Sequence, residues 1–202
     1  MVHNVFINAS ASTARSAEVF CGIIVKMPTI NKIIYRQSTK AAVFIDAANV
    51  IYSQRTLGWQ IDFKKLMDYF KNNYQLDKVY FYFAYLKDDK KQQGFFNKLK
   101  QWGYRIRTKE VKLIRQSDGT VLKKGNLDVE LTIDAVKDLK YYSTAILMSG
   151  DSDFHALVKY LQSKNKKVVI ISSKGHVSFE LLKAADKYVN FNSLRDSVVR
   201  VI

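Results

Sequence analysis

Residues 41–46 read AAVFID, and this stretch decides the fold that we predict. Five small or apolar side chains in a row are typical of a short strand that is buried on both faces, as in parallel sheets. The run stops at Asp46, so a carboxylate follows where the strand ends. A second apolar run, residues 144–148, is followed by SGDSD at residues 149–153. The sequence therefore predicts two buried strands that both end in acidic residues.

Outward from these two runs, strand-like and helix-like segments alternate along the chain. Strands that are separated by crossover helices form a parallel sheet with helices on both faces. We therefore predict an α/β protein, a three-layer α/β/α sandwich with a mainly parallel central sheet. The other predicted strands are 79–86, 104–108, 167–171 and an edge strand at 188–191, and the predicted helices are 61–74, 89–102, 152–163 and 178–185.

Two segments between the predicted strands are harder to assign. Residues 111–122 contain an Asp-Gly pair at 118–119, a strong turn signal, and predict a hairpin. Residues 126–140 alternate at first as a strand would, but their length and later apolar spacing favour a helix.

The chain reads as one domain over residues 40–192. Its 202 residues include one proline and eight glycines, and no Pro-, Gly- or Ser-rich linker divides it. Residues 1–39 lack clear periodicity, so we treat them as an N-terminal extension without an assigned role, and Met27 is a candidate for the natural start. Residues 193–202 are expected to form a C-terminal tail.

The charge of the chain points to an anionic partner. Thirty-three Lys and Arg residues against eighteen Asp and Glu give a formal net charge of +15. The basic residues are scattered among aromatic ones, as at 87–91 and 102–109, and do not form one polybasic tail. This distribution favours a nucleic-acid surface over a membrane anchor, although lysine-rich helices that are simply well solvated would look the same.

Cysteine content and hydropathy point to an intracellular protein. The single cysteine, Cys21, cannot form an internal disulfide, which fits a reducing compartment. No apolar stretch approaches the roughly 20 residues that span a bilayer, and we recognise no signal peptide. We expect a cytoplasmic location and no membrane partner.

Asp46, Asp151 and Asp153 follow strands whose carboxyl ends can lie side by side in a parallel sheet. Three adjacent carboxylates repel one another unless a cation offsets their charge. Oxygen ligands of this kind favour Mg²⁺ or Mn²⁺, whereas zinc would need Cys or His. The plainer alternative is that these residues cap helix N-termini, since Asp is common there.

Four motifs resemble, in the same order, those of the NYN family, a LabA-like branch of the PIN-like nucleases. The resemblance extends from about residue 40 to 192 and implies a PIN-like fold and an acidic pocket that binds a divalent metal to cleave RNA. The four matching segments are VFIDAANV at 43–50, KGNLDVELTIDA at 124–135, ILMSGDSDF at 146–154, and residues 178–186.

The resemblance also implies which carboxylates form the pocket. Asp46, Asp128 and Asp151 would be catalytic residues that face the metal, Asp153 would be the fourth ligand, and Asn49 would line the pocket and contact the substrate. Asp134 also falls on a family aspartate. It is six residues beyond Asp128, nearly two helical turns away, so a supporting position is the expectation for it.

Several other residues are expected on the same edge of the sheet. Lys124 and Lys174 are predicted to contact backbone phosphates, although both could be solvated loop lysines. Ser149 is counted with them as a substrate-binding residue. His155 follows the acidic motif directly, but a lone helical histidine is more often structural.

The resulting hypothesis is a divalent-metal-dependent endoribonuclease acting on single-stranded or structured RNA, with homodimer formation left open. A non-catalytic RNA-binding or regulatory module with a PIN-like fold is the main alternative. A haloacid-dehalogenase-like phosphatase is disfavoured, because that family needs a second Asp two residues after the first and this chain has Ala48 there.

Overall fold

The computed structural model describes residues 19–20, 23–24, 39–85, 87, 90–117 and 119–201. In chain order the strands are β1 Val19–Phe20, β2 Ile23–Ile24, β3 Lys40–Asp46, β4 Gln75–Tyr85, β5 Arg105–Glu110, β6 Lys112–Arg115, β7 Val121–Lys124, β8 Thr144–Met148, β9 Lys167–Ser172 and β10 Lys187–Asn190. The helices are α1 Ala47–Leu57, α2 Phe63–Asn73, α3 Lys90–Trp102, α4 Asp128–Lys137, α5 His155–Ser163, α6 Phe179–Ala184 and α7 Arg195–Val198, with 3₁₀ turns at Leu139–Tyr141, Ser152–Phe154 and Phe191–Leu194.

Six of these strands form one sheet in the order β10-β9-β8-β3-β4-β5, and every neighbouring pair is parallel. The two short pairs β1–β2 and β6–β7 are antiparallel and lie outside this sheet. The prediction of a mainly parallel central sheet is therefore confirmed, and the two strands that lead into the acidic residues, β3 and β8, are neighbours in it.

Strands β3 and β8 occupy the middle of the sheet because their side chains can be buried on both faces. All five residues of β8 are buried, and so are five of the seven in β3. Ala41, Val43 and Ile45 pack into one apolar cluster, whereas Ala42 and Phe44 pack into a second cluster on the opposite face. The edge strand β5 carries exposed charged residues, which discourages pairing with another chain.

Helices cover both faces of the sheet, which confirms the three-layer architecture. Helices α1, α2 and α3 contribute the first cluster, with side chains such as Val50, Phe70 and Leu99. Helices α4, α5 and α6 contribute the second, with side chains such as Leu131 and Val158. The acidic strand ends lie at the edge where both helical layers meet the sheet.

The structure describes few residues at the start of the chain and almost all of those at its end. Most of residues 1–39, including Met27 and Cys21, lies outside the described residues. At the other end, Leu194 and Val198 are buried in the first cluster, and Val199 bridges to Ile61. Part of the segment expected to be a tail is therefore packed against the domain.

Both ambiguous segments are resolved. Strands β6 and β7 form the predicted hairpin, and residues 128–137 form the helix that the length of the segment favoured. The helix predicted at 152–163 begins as a 3₁₀ turn and becomes α-helical at His155. The Asp151 side chain accepts a hydrogen bond from the Asp153 backbone N–H and starts that turn.

Helix α4 is held to the sheet by acidic side chains that pair with cations of strand β5. The Arg107 guanidinium donates to both carboxylate oxygens of Asp134, at 2.8 and 3.2 Å. One helical turn earlier, the Lys109 ammonium lies 2.8 Å from Glu130. The residue before the helix, Leu127, offers no side-chain cap. These tertiary contacts therefore add to the acidic first turn in fixing where α4 begins.

The ion pairs between α4 and the strands form a row that we call the ladder. It continues at the C-terminal end of α4 with a pair that is shielded from solvent. Asp138 accepts hydrogen bonds from the Lys78 ammonium and the Tyr80 hydroxyl, both at 2.8 Å. Its side chain is 7% exposed and that of Lys78 is 12% exposed. A carboxylate buried to this extent needs such partners, because burial alone disfavours its charged form.

Replacing Asp138 by Asn should lower the free energy of unfolding at neutral pH by about 2 kcal/mol, since a hydrogen bond to a charged group contributes about 1.5–3 kcal/mol. Burial raises the pKa of Asp138, but the bonds from Lys78 and Tyr80 bring it below its ordinary value. A carboxylate with a lowered pKa stabilises the fold above its unfolded-state pKa of about 3.9 and loses that contribution as the pH falls. In urea denaturation, the deficit of the variant should shrink below about pH 4.

The control is Asp68→Asn, because Asp68 pairs with Lys64 at an exposed position. Exposed pairs contribute only about 0–1 kcal/mol. Equal losses in both variants would contradict the role given to Asp138.

Candidate metal centre

Three carboxylates meet at the carboxyl edge of the sheet. Asp128 is the first residue of α4, Asp151 follows β8, and Asp153 lies in the adjoining 3₁₀ turn. Each offers one oxygen atom, and these atoms lie within 4.8 Å of one another. Among the residues that the structure describes, this is the one group of three or more His, Cys, Asp or Glu side chains that could share a cation.

Asp46 flanks this cluster because β3 and β8 are neighbouring parallel strands. Its Oδ1 accepts from the backbone N–H groups of Ala48 and Asn49, at 3.1 and 3.3 Å, and so caps helix α1. Its Oδ2 accepts from the Ser149 hydroxyl at 3.0 Å. Asp46 therefore both caps a helix and lies beside the carboxylate cluster, two roles that the sequence analysis treated as alternatives.

The electrostatics of the site reflect four acidic side chains in a confined space. Burial raises the pKa of Asp128, and the negative charges of Asp46 and Asp151 raise it further. Burial also raises the pKa of Asp46, against the opposing effect of its bonds from Asn49 and Ser149. The charged forms repel one another, so the site is suited to a group that brings positive charge.

The carboxylates line an open cleft of about 220 Å³. Its other walls include Tyr82 and Ala84 from β4 and the Gly125-Asn126 link between the hairpin and α4. The Asn126 side-chain amide donates to Asp128 at 2.6 Å and orients that carboxylate. Asn126 is not among the predicted site residues, although its place two residues before Asp128 is a signal for this contact in the sequence.

Gly150 allows the loop after β9 to pack against the acidic motif. A Cβ atom at this position would lie 1.7 Å from the His176 carbonyl oxygen, so no other residue fits without moving the backbone. The Gly150 carbonyl also accepts from the Ser178 N–H at 2.9 Å. The close approach fixes the turn that carries Asp151, and sequence pattern alone does not reveal it.

The predicted substrate-binding residues do not lie together in the cleft lining. Ser149 is fully buried and its hydroxyl contacts Asp46 and the Asp151 N–H. Asn49 does not line the cleft, and its side-chain oxygen is buried without a hydrogen-bond partner. Lys174 is exposed in the turn after β9, away from the cleft lining.

Three further residues complete the comparison with the sequence. Lys124 ends strand β7 one residue before the cleft wall, and the position of its side chain lies outside what is described. Asp134 is buried and pairs with Arg107, so it supports α4 and is not part of the three-carboxylate cluster. His155 begins α5 and is likewise outside that cluster.

Within the described part of the chain, no helix combines the length and apolar character needed to cross a bilayer.

Comparisons with known proteins agree with the fold. The NYN domain profile matches residues 40–193. Low amplitude and bright protein LabA of Synechococcus elongatus is 33% identical over 163 residues, which cover 79% of this chain and 88% of that protein.

A solved structure shows the same architecture. The crystal structure of a protein of unknown function from Vibrio parahaemolyticus superposes with a TM-score of 0.68 at 26% identity, covering 81% of this chain and 98% of the other. With the all-parallel sheet between two helical layers, this likeness establishes a PIN-like α/β/α fold. The family match covers most of the chain, as the resemblance of the motifs predicted, and the chain belongs to the NYN domain family.

Proposed function

We propose that this protein is a divalent-metal-dependent endoribonuclease. The observation that carries the proposal is the convergence of Asp128, Asp151 and Asp153, whose oxygen atoms lie within 4.8 Å of one another at an open cleft. Asp46 adds a fourth carboxylate beside them, as in the set implied by the motifs. Membership of a PIN-like nuclease family supports the same chemistry.

The donor set fits Mg²⁺ or Mn²⁺. It consists of carboxylate oxygens from the start of α4 and from the turn after β8, with no Cys or His in the group. Their mutual repulsion, expressed in the raised pKa of Asp128, is the electrostatic reason for a cation here. In such sites a bound Mg²⁺ or Mn²⁺ lowers the pKa of a water and offsets charge on phosphate oxygens.

The protein's own contribution is to hold the carboxylates in place. Ser149 orients Asp46, Asn126 orients Asp128, and Asp151 is fixed by its bond from the Asp153 N–H. Residues that support metal ligands in this way typically affect metal affinity or activity by about 10–100-fold. We therefore assign Ser149 to orienting Asp46.

RNA is the proposed substrate because the chain has a formal net charge of +15 and belongs to a PIN-like nuclease family. Residues 75–125, which include the β4 wall of the cleft and the β6–β7 hairpin, carry thirteen Lys or Arg and five Asp or Glu. Residues 126–202 carry eleven and nine. The excess of cations in the first of these two stretches suits a polyanionic partner.

Asp151→Asn should reduce cleavage by at least about 100-fold, since it removes a direct ligand and not only a supporting contact. The assay is cleavage of labelled linear and circular single-stranded RNA with Mg²⁺, Mn²⁺ or EDTA; circular RNA, which has no ends, isolates endonucleolytic cutting. Asp196→Asn is the control, because Asp196 is exposed on α7. Binding without metal-dependent cutting in the wild type would favour the non-catalytic module, and cutting that survives in Asp151→Asn would refute the assigned site.

Metal binding can be measured without activity through thermal unfolding. Mg²⁺ or Mn²⁺ should raise the melting temperature of the wild type, because a ligand that binds only the folded state stabilises it. Asp128→Asn should melt a few degrees higher than the wild type in EDTA, since one repelling charge is gone, and should respond less to the metal. A metal response that is unchanged in the variant would argue against Asp128 as a ligand.

Ser149→Ala should weaken metal binding while leaving the ligands in place. Loss of the 3.0 Å bond to Asp46 should raise the metal concentration needed for half-maximal cleavage by about 10–100-fold, with activity partly recovered at high metal. Ser163→Ala is the control, because its hydroxyl donates to the Tyr160 carbonyl at an exposed position outside the cleft lining. Similar behaviour of the two variants would exclude the orienting role.

A further inference from the structure

A second cavity lies on the face of the sheet that α4 covers. It has a volume of about 360 Å³ and lies among strands β4 and β5, the end of α4, and the 3₁₀ turn that follows. We call it the basic groove. Its cationic lining residues, with an aromatic residue beside them, are Lys78, Arg105, Arg107, Lys137, Lys140 and Tyr141.

The basic groove keeps a positive excess after its internal ion pairs are counted. Lys78 and Arg107 are paired with the two acidic lining residues, Asp138 and Asp134. The three remaining cations are exposed, and none forms a salt bridge with a described acidic residue. One of them, Arg105, lowers the pKa of Asp138 by its charge. These three cations, which are available to an anionic ligand, are Arg105, Lys137 and Lys140.

Tyr141 presents an aromatic ring beside these cations. The residue is 45% exposed. The Lys78 ammonium lies 4.3 Å from its ring centroid and is itself held by Asp138, so the ring has a fixed cationic neighbour. The Lys140 ammonium lies 4.9 Å from the same centroid on an exposed side chain that can move aside. An exposed aromatic ring among cations is the arrangement with which proteins bind single-stranded nucleic acid, through stacked bases and backbone charge.

The basic groove follows the catalytic cleft along the same helix. Asp128 and Leu131 of α4 line the cleft, and Asp134 and Lys137 line the basic groove. Tyr82 joins the two cavities, since it lines the cleft and its hydroxyl donates to Asp134 at 3.1 Å. The nine residue steps from Asp128 to Lys137 correspond to about 14 Å of helix.

We propose that the basic groove binds the same single-stranded RNA strand that the cleft cleaves, about four nucleotides from the scissile phosphate at the 3.4 Å rise of a stacked strand. Arg105, Lys137 and Lys140 contact its phosphates, and one base stacks on Tyr141. The inference rests on the proposed function for the identity of the ligand. It adds the path of the RNA, which runs from the cleft along α4 toward Arg105, the first residue of β5.

The test is binding of fluorescent twelve-nucleotide single-stranded RNA in EDTA, where no metal-dependent cutting interferes, at about 50–200 mM salt. The groove variant carries Arg105→Gln, Lys137→Gln and Lys140→Gln. The matched control carries Lys159→Gln, Lys164→Gln and Lys183→Gln, three exposed lysines on the side of α5 and α6. Both variants have the same net charge.

We expect the groove variant to lose at least about tenfold in affinity, and its slope of log K against log salt to fall by about 2, as for three lost phosphate contacts on a single strand. The control should stay within about twofold of the wild type. Equal losses in the two variants would overturn the proposal, because net charge and not the basic groove would then drive binding.

Length and stacking give two further readouts. A trinucleotide has too few phosphates to contact the three cations and the cleft together, so the groove variant should lose less affinity for it than for the twelve-nucleotide RNA. Tyr141→Leu should weaken single-stranded RNA several-fold and leave duplex RNA unchanged, since paired bases cannot stack on the ring. Competition by polyglutamate as strong as that by RNA would overturn the proposal in favour of an acidic protein partner.

The two proposals fail separately. Groove-dependent RNA binding without metal-dependent cutting would remove the nuclease function and keep the groove. Normal cutting, together with equal binding of the twelve-nucleotide RNA by the groove variant and the wild type, would refute the role of the basic groove and leave the nuclease function standing.

Discussion

The position of α4 against strands β4 and β5 is the constraint on which the site depends. Glu130, Asp134 and Asp138 recur every four residues, about 6 Å apart along the helix, and cations on β5 recur every two residues, about 6.6 Å apart. The near match lets Lys109 and Arg107 pair in sequence with this acidic row. A shift by one helical turn would let the two rows pair again one step along, but it would separate Asp138 from Lys78 of β4. This last pair therefore fixes where the first residue of α4 lies.

That first residue is Asp128, and its neighbours oppose its presence. The carboxylates of Asp46 and Asp151 raise its pKa by repulsion, on top of the effect of burial. Two of these acids are tolerated because they also start helical turns, Asp46 for α1 and Asp151 for the turn that precedes α5. Asp128 has no such role, since α4 begins without a side-chain cap. Attraction along the rest of the helix offsets the repulsion at its end.

The sequence predicted what depends on local pattern. Apolar runs such as residues 41–45 and 144–148 located the central strands, and the acidic residues after them indicated the candidate metal centre. The helix at 128–137 remained ambiguous, because its early alternation matches a strand and its start has no capping residue. Ser149 was assigned to the substrate because its motif shows only its place in the chain, whereas its full burial depends on packing across two strands.

Net charge, like the local pattern of the sequence, does not show which side chains are already paired in the fold. A count of 33 basic residues indicates an anionic partner but does not say which cations are available to it. Lys78, Arg107 and Lys109 come from the most basic region, yet each is paired with an acidic residue of α4 or the turn after it and supports the fold. Substituting them would move α4 and the cleft together with the surface charge. A test of RNA contact is therefore specific only at cations outside the ladder, because only there can charge be removed while Asp128 keeps its position.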